Sequence, residues 1–183
     1  MLAWLIPLIV VIALAGATIL IYNRLVRLRN RTDNAWSQVD VQLRKRYDLV
    51  PNLVETVKGY AAHEQSVFDE VTRLRVAAQG ASSVEGQARA ENALTAALGR
   101  LFAVAEDYPE LRASENFQTL QGQLDEVESN IAVARQIYND TVLTYQNAIQ
   151  TIPNNIVAGL FGFKGRSYFE IEEAARAPVN VEF

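Results

Sequence analysis

The residues that could do chemistry are few, and their spacing works against it. His63-Glu64 opens the His-Glu-x-x-His pattern of a zinc peptidase, but the second histidine must stand four residues after the first, where the chain has Val67. With one histidine and no cysteine in 183 residues, disulfides, thiolate nucleophiles and cysteine-ligated zinc or iron-sulfur centres are excluded. One histidine also cannot supply the two Glu-x-x-His pairs of a carboxylate-bridged metal site in a bundle. The neighbouring carboxylates Asp69-Glu70, Asp125-Glu126 with Glu128, and Glu172-Glu173 have no sequence partner that would raise a pKa, and on helices such pairs mark a solvated face. Gly159, Gly162 and Gly165 are three apart but lack the Lys-Ser or Lys-Thr and the preceding strand of a phosphate loop, so they read as places where the chain bends. No catalytic residue, metal ligand or cofactor is assigned, and the expected class is non-enzymatic.

What the chain does carry is an asymmetry of charge and hydropathy. No charged side chain occurs from Met1 to Asn23. The apolar run is built from Leu2, Trp4, Leu5, Ile6, Leu8, Ile9, Val10, Val11, Ile12, Leu14, Ile19, Leu20, Ile21 and Tyr22. At about 1.5 Å per residue it crosses a hydrocarbon core of roughly 30 Å. Trp4 and Tyr22 stand near its ends, where amphipathic rings favour the headgroup region. Residues 1–23 are therefore read as a transmembrane anchor. The competing reading is a cleaved signal peptide, for which Ala13-Leu14-Ala15 resembles a cleavage site, although the charged n-region is missing and the apolar run continues to Ile21. Arg24, Arg27, Arg29 and Arg31 follow at once, and the positive-inside rule then puts the soluble part in the cytoplasm, with a single pass through the inner membrane. Past Val50 there are ten basic residues against eighteen acidic, a balance that repels phosphate backbones and excludes nucleic acid as a partner.

The elements that position these features are helices. Nothing from Ala17 to Val50 breaks a helix, so the anchor is expected to continue into the first bundle helix, with Leu25, Leu28, Thr32, Ala35, Val39 and Leu43 as its seam. Pro51 is expected to end it, giving a second helix over 52–79 with a seam of Leu53, Val57, Tyr60, Val67, Val71 and Leu74. Gly80 to Ser83 is turn-like, and Val84 to Ala105 forms an alanine-rich third helix with Leu94, Leu98 and Leu101 inward. A fourth begins near Ser114 and runs to about Gln150. In it Phe117, Leu120, Leu124, Val127, Ile131, Ala134, Tyr138, Val142, Tyr145 and Ile149 alternate spacings of three and four, the mark of a bundle seam. The predicted fold is all-α, an N-terminal transmembrane helix continuing into an antiparallel four-helix bundle of long helices over 24–150. A glycine-containing apolar segment and an extended tail follow over 151–183.

Three surfaces are candidates for binding. Asn30, Asn34, Gln38 and Gln42 form a polar stripe, either a wet helix face or a self-association surface in which amides pair between copies. An antiparallel bundle returns its fourth helix to the membrane end, where Leu160, Phe161 and Phe163 precede Lys164 and Arg166. That composition suits a second membrane contact or packing over the bundle base. In the tail, Val179, Val181 and Phe183 alternate with polar residues after Pro178. Such a strand either adds to a partner's sheet edge or groove or lies along its own bundle.

The run from Tyr22 to Arg31, continuing through Asn34-Ala35-Trp36-Ser37-Gln38-Val39 and on through Arg46-Tyr47-Asp48-Leu49-Val50-Pro51-Asn52 to Tyr60, resembles the LemA family of bacterial membrane proteins. Tyr138-Asn139, Asn147, Pro153 to Phe163 and Tyr168-Phe169 resemble it too, so the likeness extends over nearly the whole chain. It implies an N-terminal anchor and a helical bundle, and supplies no catalytic residues. Its further associations are with organelle membranes in one branch and with a neighbouring membrane metalloprotease. The expected partners are thus the lipid bilayer, further copies of the chain in a self-associating scaffold, and a membrane protein such as a protease engaged through the tail as an adaptor.

Overall fold

A computed structural model of the chain describes residues 4–170. The anchor residue Leu2, the carboxylates Glu172-Glu173 and the tail residues Val179, Val181 and Phe183 lie outside this range. The described residues form six helices and no strand: α1 (Leu5–Lys58), α2 (Gln65–Gln79), α3 (Val84–Glu106), α4 (Pro109–Arg112), α5 (Glu115–Gln150) and α6 (Asn154–Leu160). The all-helical expectation holds. The chain divides into two compact units. Of the described residues, one unit joins those up to Val39 with Ala134–Ser167, and the other comprises Asp40–Val133 with residues 168–170.

Pro51 does not end the first helix; α1 passes through it and stops at Lys58. A proline in a helix interior removes the donor that would serve the carbonyl four residues earlier. Here that carbonyl belongs to Tyr47, and the Arg75 Nε donates to it at 2.6 Å. A side chain from α2 thus replaces the missing backbone N–H, and the helix continues for two further turns. Tyr60, expected in an apolar seam, consequently falls in the turn between α1 and α2, exposed. α3 starts as its sequence dictates: Ser83 is extended and its Oγ accepts from the Gly86 N–H at 3.1 Å, a serine N-cap. The long periodic seam of α5 is buried from Phe117 to Tyr145.

In the unit that holds the apolar N-terminal stretch, α1 and α5 pair through Leu25 and Ala148, and α6 adds Val157 and Ala158 to the same cluster. α6 ends in a two-bond cap: Phe163 N–H reaches the Ala158 carbonyl at 2.9 Å and Gly162 N–H the Gly159 carbonyl at 3.4 Å. Gly162 takes φ +69°, a left-handed conformation open to glycine, and Phe163 packs back on the Leu25 cluster, completing a Schellman motif. Of the three spaced glycines, this is the one that makes the bend.

Candidate functional site

The unit containing the apolar stretch has two chemically distinct zones. Trp4, Leu5, Ile6, Leu8, Ile9, Val10, Val11, Ile12, Leu14, Ile19 and Leu20 are exposed along α1, whereas Leu25, one turn beyond Tyr22, is fully buried. The exposed run is long and apolar enough to cross a membrane. Where it ends, the Tyr22 ring meets Phe161 edge-on at 4.9 Å between centroids and Phe163 at 5.6 Å. The Arg29 guanidinium lies 5.4 Å over the Phe163 ring, a cation–π contact. Beyond Phe163 the chain runs back along α5 as a strap held by its carbonyls. Tyr145 hydroxyl donates to Lys164 O (3.0 Å), Gln146 Nε2 to Arg166 O (2.6 Å) and Tyr138 hydroxyl to Ser167 O (2.8 Å). Arg166 in turn pairs with Asp33 on α1 at 2.7 Å, and Trp36 lies against Tyr138 with centroids 5.1 Å apart.

The second unit holds a buried ion network. Arg46 on α1 and Glu91 on α3 are both fully buried, and Arg46 Nη1 donates to Glu91 Oε2 at 2.9 Å. Arg46 Nη2 donates to Thr95 Oγ1 at 2.7 Å, and its Nε lies 2.9 Å from Glu128 Oε1 on α5 without the alignment of a hydrogen bond. The other Glu91 oxygen accepts from the Tyr47 hydroxyl and from Gln87 Nε2, the latter at 2.9 Å. Gln87 also donates to the Ala78 carbonyl at 3.0 Å. Both oxygens of Glu91 are therefore engaged and closed off from solvent, so the network has no free base to offer a substrate. Its physical role is to fix which faces of α1, α3 and α5 meet, since any other register would leave a charge buried alone. Glu128, expected on a solvated face, is instead a half-buried carboxyl; burial pushes its pKa up, and the Arg46 charge only partly offsets this.

Sequence reasoning passed over Arg46, Gln87 and Glu91. The signal was present: Arg46 continues the α1 seam of Val39 and Leu43 toward Val50, and Gln87 and Glu91 continue the α3 seam of Leu94, Leu98 and Leu101. A charged residue in phase with an apolar stripe is costly unless it is paired.

Two buried tyrosines give a pH expectation. Burial, with the adjoining Glu91 carboxylate, pushes the Tyr47 hydroxyl far above its ordinary 10.0, and burial also raises Tyr145. A raised tyrosine pKa means that the fold holds the proton more tightly than the unfolded chain does. This stability is present in full below pH 10 and is lost as pH rises beyond it. Urea midpoints measured from pH 7 upward will hold until about pH 10 and then fall. Tyr47→Phe will flatten the fall, with Tyr145→Phe removing a further part; an unchanged slope in Tyr47→Phe would show that this hydroxyl is not responsible.

The other expected surfaces are placed as follows. Asn30, Asn34 and Gln38 are exposed along α1, while Gln42 is half-buried and its Oε1 is shielded without a donor. Arg24, Arg27 and Arg31 are exposed, as is His63 in the turn before α2. Leu160 and Phe161 point outward, Phe163 is half-buried, Lys164 is exposed, and Arg166 is spent on Asp33.

Comparison with known sequences adds family evidence. The model of the LemA family matches residues 35–183. Magnetosome protein MamQ 2 of Paramagnetospirillum magneticum is 29% identical over 195 residues, covering 92% of this chain and 72% of that one. Magnetosome protein MamQ of Magnetospirillum gryphiswaldense is 28% identical, with 86% and 68% covered. Protein LemA of Metamycoplasma hominis is 23% identical, with 86% and 73% covered.

Proposed function

Since the chain belongs to the LemA family, we propose that it is a non-catalytic membrane-anchored scaffold, inserted through Leu5–Tyr22 and self-associating along the α1 face that carries Asn30, Asn34 and Gln38. The observation that carries this reading is that an exposed apolar stretch and an exposed amide row lie on one uninterrupted helix, so that copies held in one bilayer present the same row at the same height. Amides paired between copies select register more than they add affinity. A cleft lined by Arg31, Asp140 and the exposed Ile137 supports the same reading, since a two-fold related copy would match its opposite charges. Relatives named as magnetosome proteins are consistent with a role at a membrane, and the arginines after the span favour a cytoplasmic soluble part.

The absence of native cysteine makes the test direct. Asn34→Cys in native membranes will give a disulfide-linked dimer on mild oxidation, and Arg73→Cys, exposed on α2, will not. If neither position crosslinks, self-association through this face is wrong. Capture of one heterologous membrane protein through a photo-crosslinker at Val181 would instead support the adaptor reading, for which the alternating tail Val179, Val181 and Phe183 is the motive.

A further inference from the structure

We propose that α6 and the turn after it form a second membrane contact, lying in the headgroup region beside the span and taking anionic phospholipid as ligand. The inference rests on reading Leu5–Tyr22 as a span, and goes beyond it in assigning a separate lipid-facing element some 130 residues later in the chain.

The first observation is one of height. Tyr22 closes the exposed apolar stretch, and its ring touches both Phe161 and Phe163, so the turn after α6 sits where the span leaves the hydrocarbon. The second is that α6 has two faces. Asn154, Val157 and Ala158 are buried, two of them in the Leu25–Ala148 cluster. Ile152, Ile156 and Leu160, spaced by four from the preceding turn through α6, are 81%, 60% and 76% exposed, with Phe161 at 55%. A helix whose inner face is already satisfied has no packing reason to carry a row of large apolar side chains outward, and such a row beside a span is the composition of an interfacial helix. The third is charge. From Met1 to Thr32 and from Thr141 to Phe169 the chain has no carboxylate, while it carries Arg24, Arg27, Arg29, Arg31, Lys164 and Arg166. Asp33, close to this zone, is neutralised by Arg166. With Arg166 spent on Asp33 and Asp140 lining a cleft with Arg31, the membrane end of the unit still carries an excess of cations around an apolar row, which complements an anionic headgroup layer.

Of the residues that the sequence proposed for this contact, the structure keeps Leu160, Phe161 and Lys164 on the lipid side and adds Ile152 and Ile156. Phe163 and Arg166 act as fasteners that hold the turn against Tyr22, Arg29 and Asp33.

The test uses the full chain in vesicles of phosphatidylglycerol mixed with phosphatidylcholine, carrying an environment-sensitive fluorophore on a single introduced cysteine and doxyl-labelled lipids as quenchers. Ile156→Cys is expected to show blue-shifted emission and to lose at least half of it to quenchers near the headgroup. Ile12→Cys will be quenched by probes deep in the acyl chain, and Arg73→Cys by neither. Quenching at position 12 with none at 156 would overturn this inference and leave the span intact; no quenching at either would remove both. A blue shift at 156 without lipid quenching would mean that protein covers the row, which also overturns it. Equal quenching in phosphatidylcholine alone would refute the anionic-lipid assignment. Leu160→Asn with Phe161→Asn, both exposed and outside the buried cluster, is expected to abolish quenching at 156 while leaving it unchanged at 12.

Discussion

Replacing Glu91 with alanine will lower the unfolding free energy by about 3 kcal/mol, the lower end of the 3–5 kcal/mol typical when one member of a buried ion pair is removed. The lower end applies because Arg46 keeps a second carboxylate, Glu128, 2.9 Å from its Nε. The loss has two parts: the guanidinium stays buried with half its compensation gone, and the Tyr47 hydroxyl and Gln87 amide lose their common acceptor. Arg46→Ala will cost at least as much, since it strands Glu91, which is fully buried. Arg46→Met combined with Glu91→Leu will cost less than either single change, because no charge is then left in the interior. Urea denaturation of the full chain in detergent micelles, followed by far-UV circular dichroism, measures all three. A double variant at least as damaging as Glu91→Ala would show that the pair outweighs its desolvation cost and that the argument fails here.

The second large effect is a coupling. Arg75→Ala will cost about 1–3 kcal/mol, the penalty for leaving the buried Tyr47 carbonyl without a donor. Pro51→Ala restores a backbone N–H four residues after Tyr47, so in that background Arg75→Ala will cost less than half as much. Pro51→Ala alone will stabilise by up to about 3 kcal/mol, the usual cost of an interior proline. The same cost for Arg75→Ala in both backgrounds would mean that the arginine matters for some other contact.

These residues also show where a sequence is legible. The α5 seam is read correctly because ten apolar positions keep one period over four heptads, and no local signal opposes them. Pro51 misleads because a proline is a local signal whose consequence depends on whether a donor arrives from elsewhere, and Arg75 is 24 residues further on, in a different helix. α6 is missed for a related reason: its seven residues, Asn154–Leu160, carry too little periodicity, and its helix is settled by packing on Leu25 and Ala148. At the candidate site, the span, the arginines that follow it and the apolar turn are legible as composition. The division of that turn into outward-facing and fastening residues is not, because Leu160 and Phe163 are chemically alike and only the left-handed turn at Gly162 sends them to opposite sides. The ion network lies between these cases. Its members can be seen in phase with the seams, but which carboxylate meets which arginine is a matter of helix pairing.

The strap after α6 is gripped at the carbonyl oxygens of Lys164, Arg166 and Ser167 by side chains of α5. A carbonyl is the one group every amino acid carries, proline included. Over evolutionary time the strap can therefore change the side chains of Lys164 and Ser167 and remain docked, provided that Tyr138, Tyr145 and Gln146 stay and Arg166 keeps its pairing with Asp33. The burden of inheritance falls chiefly on the surface that reads the segment, and positions such as Lys164 and Ser167 are left free to drift without unfastening it.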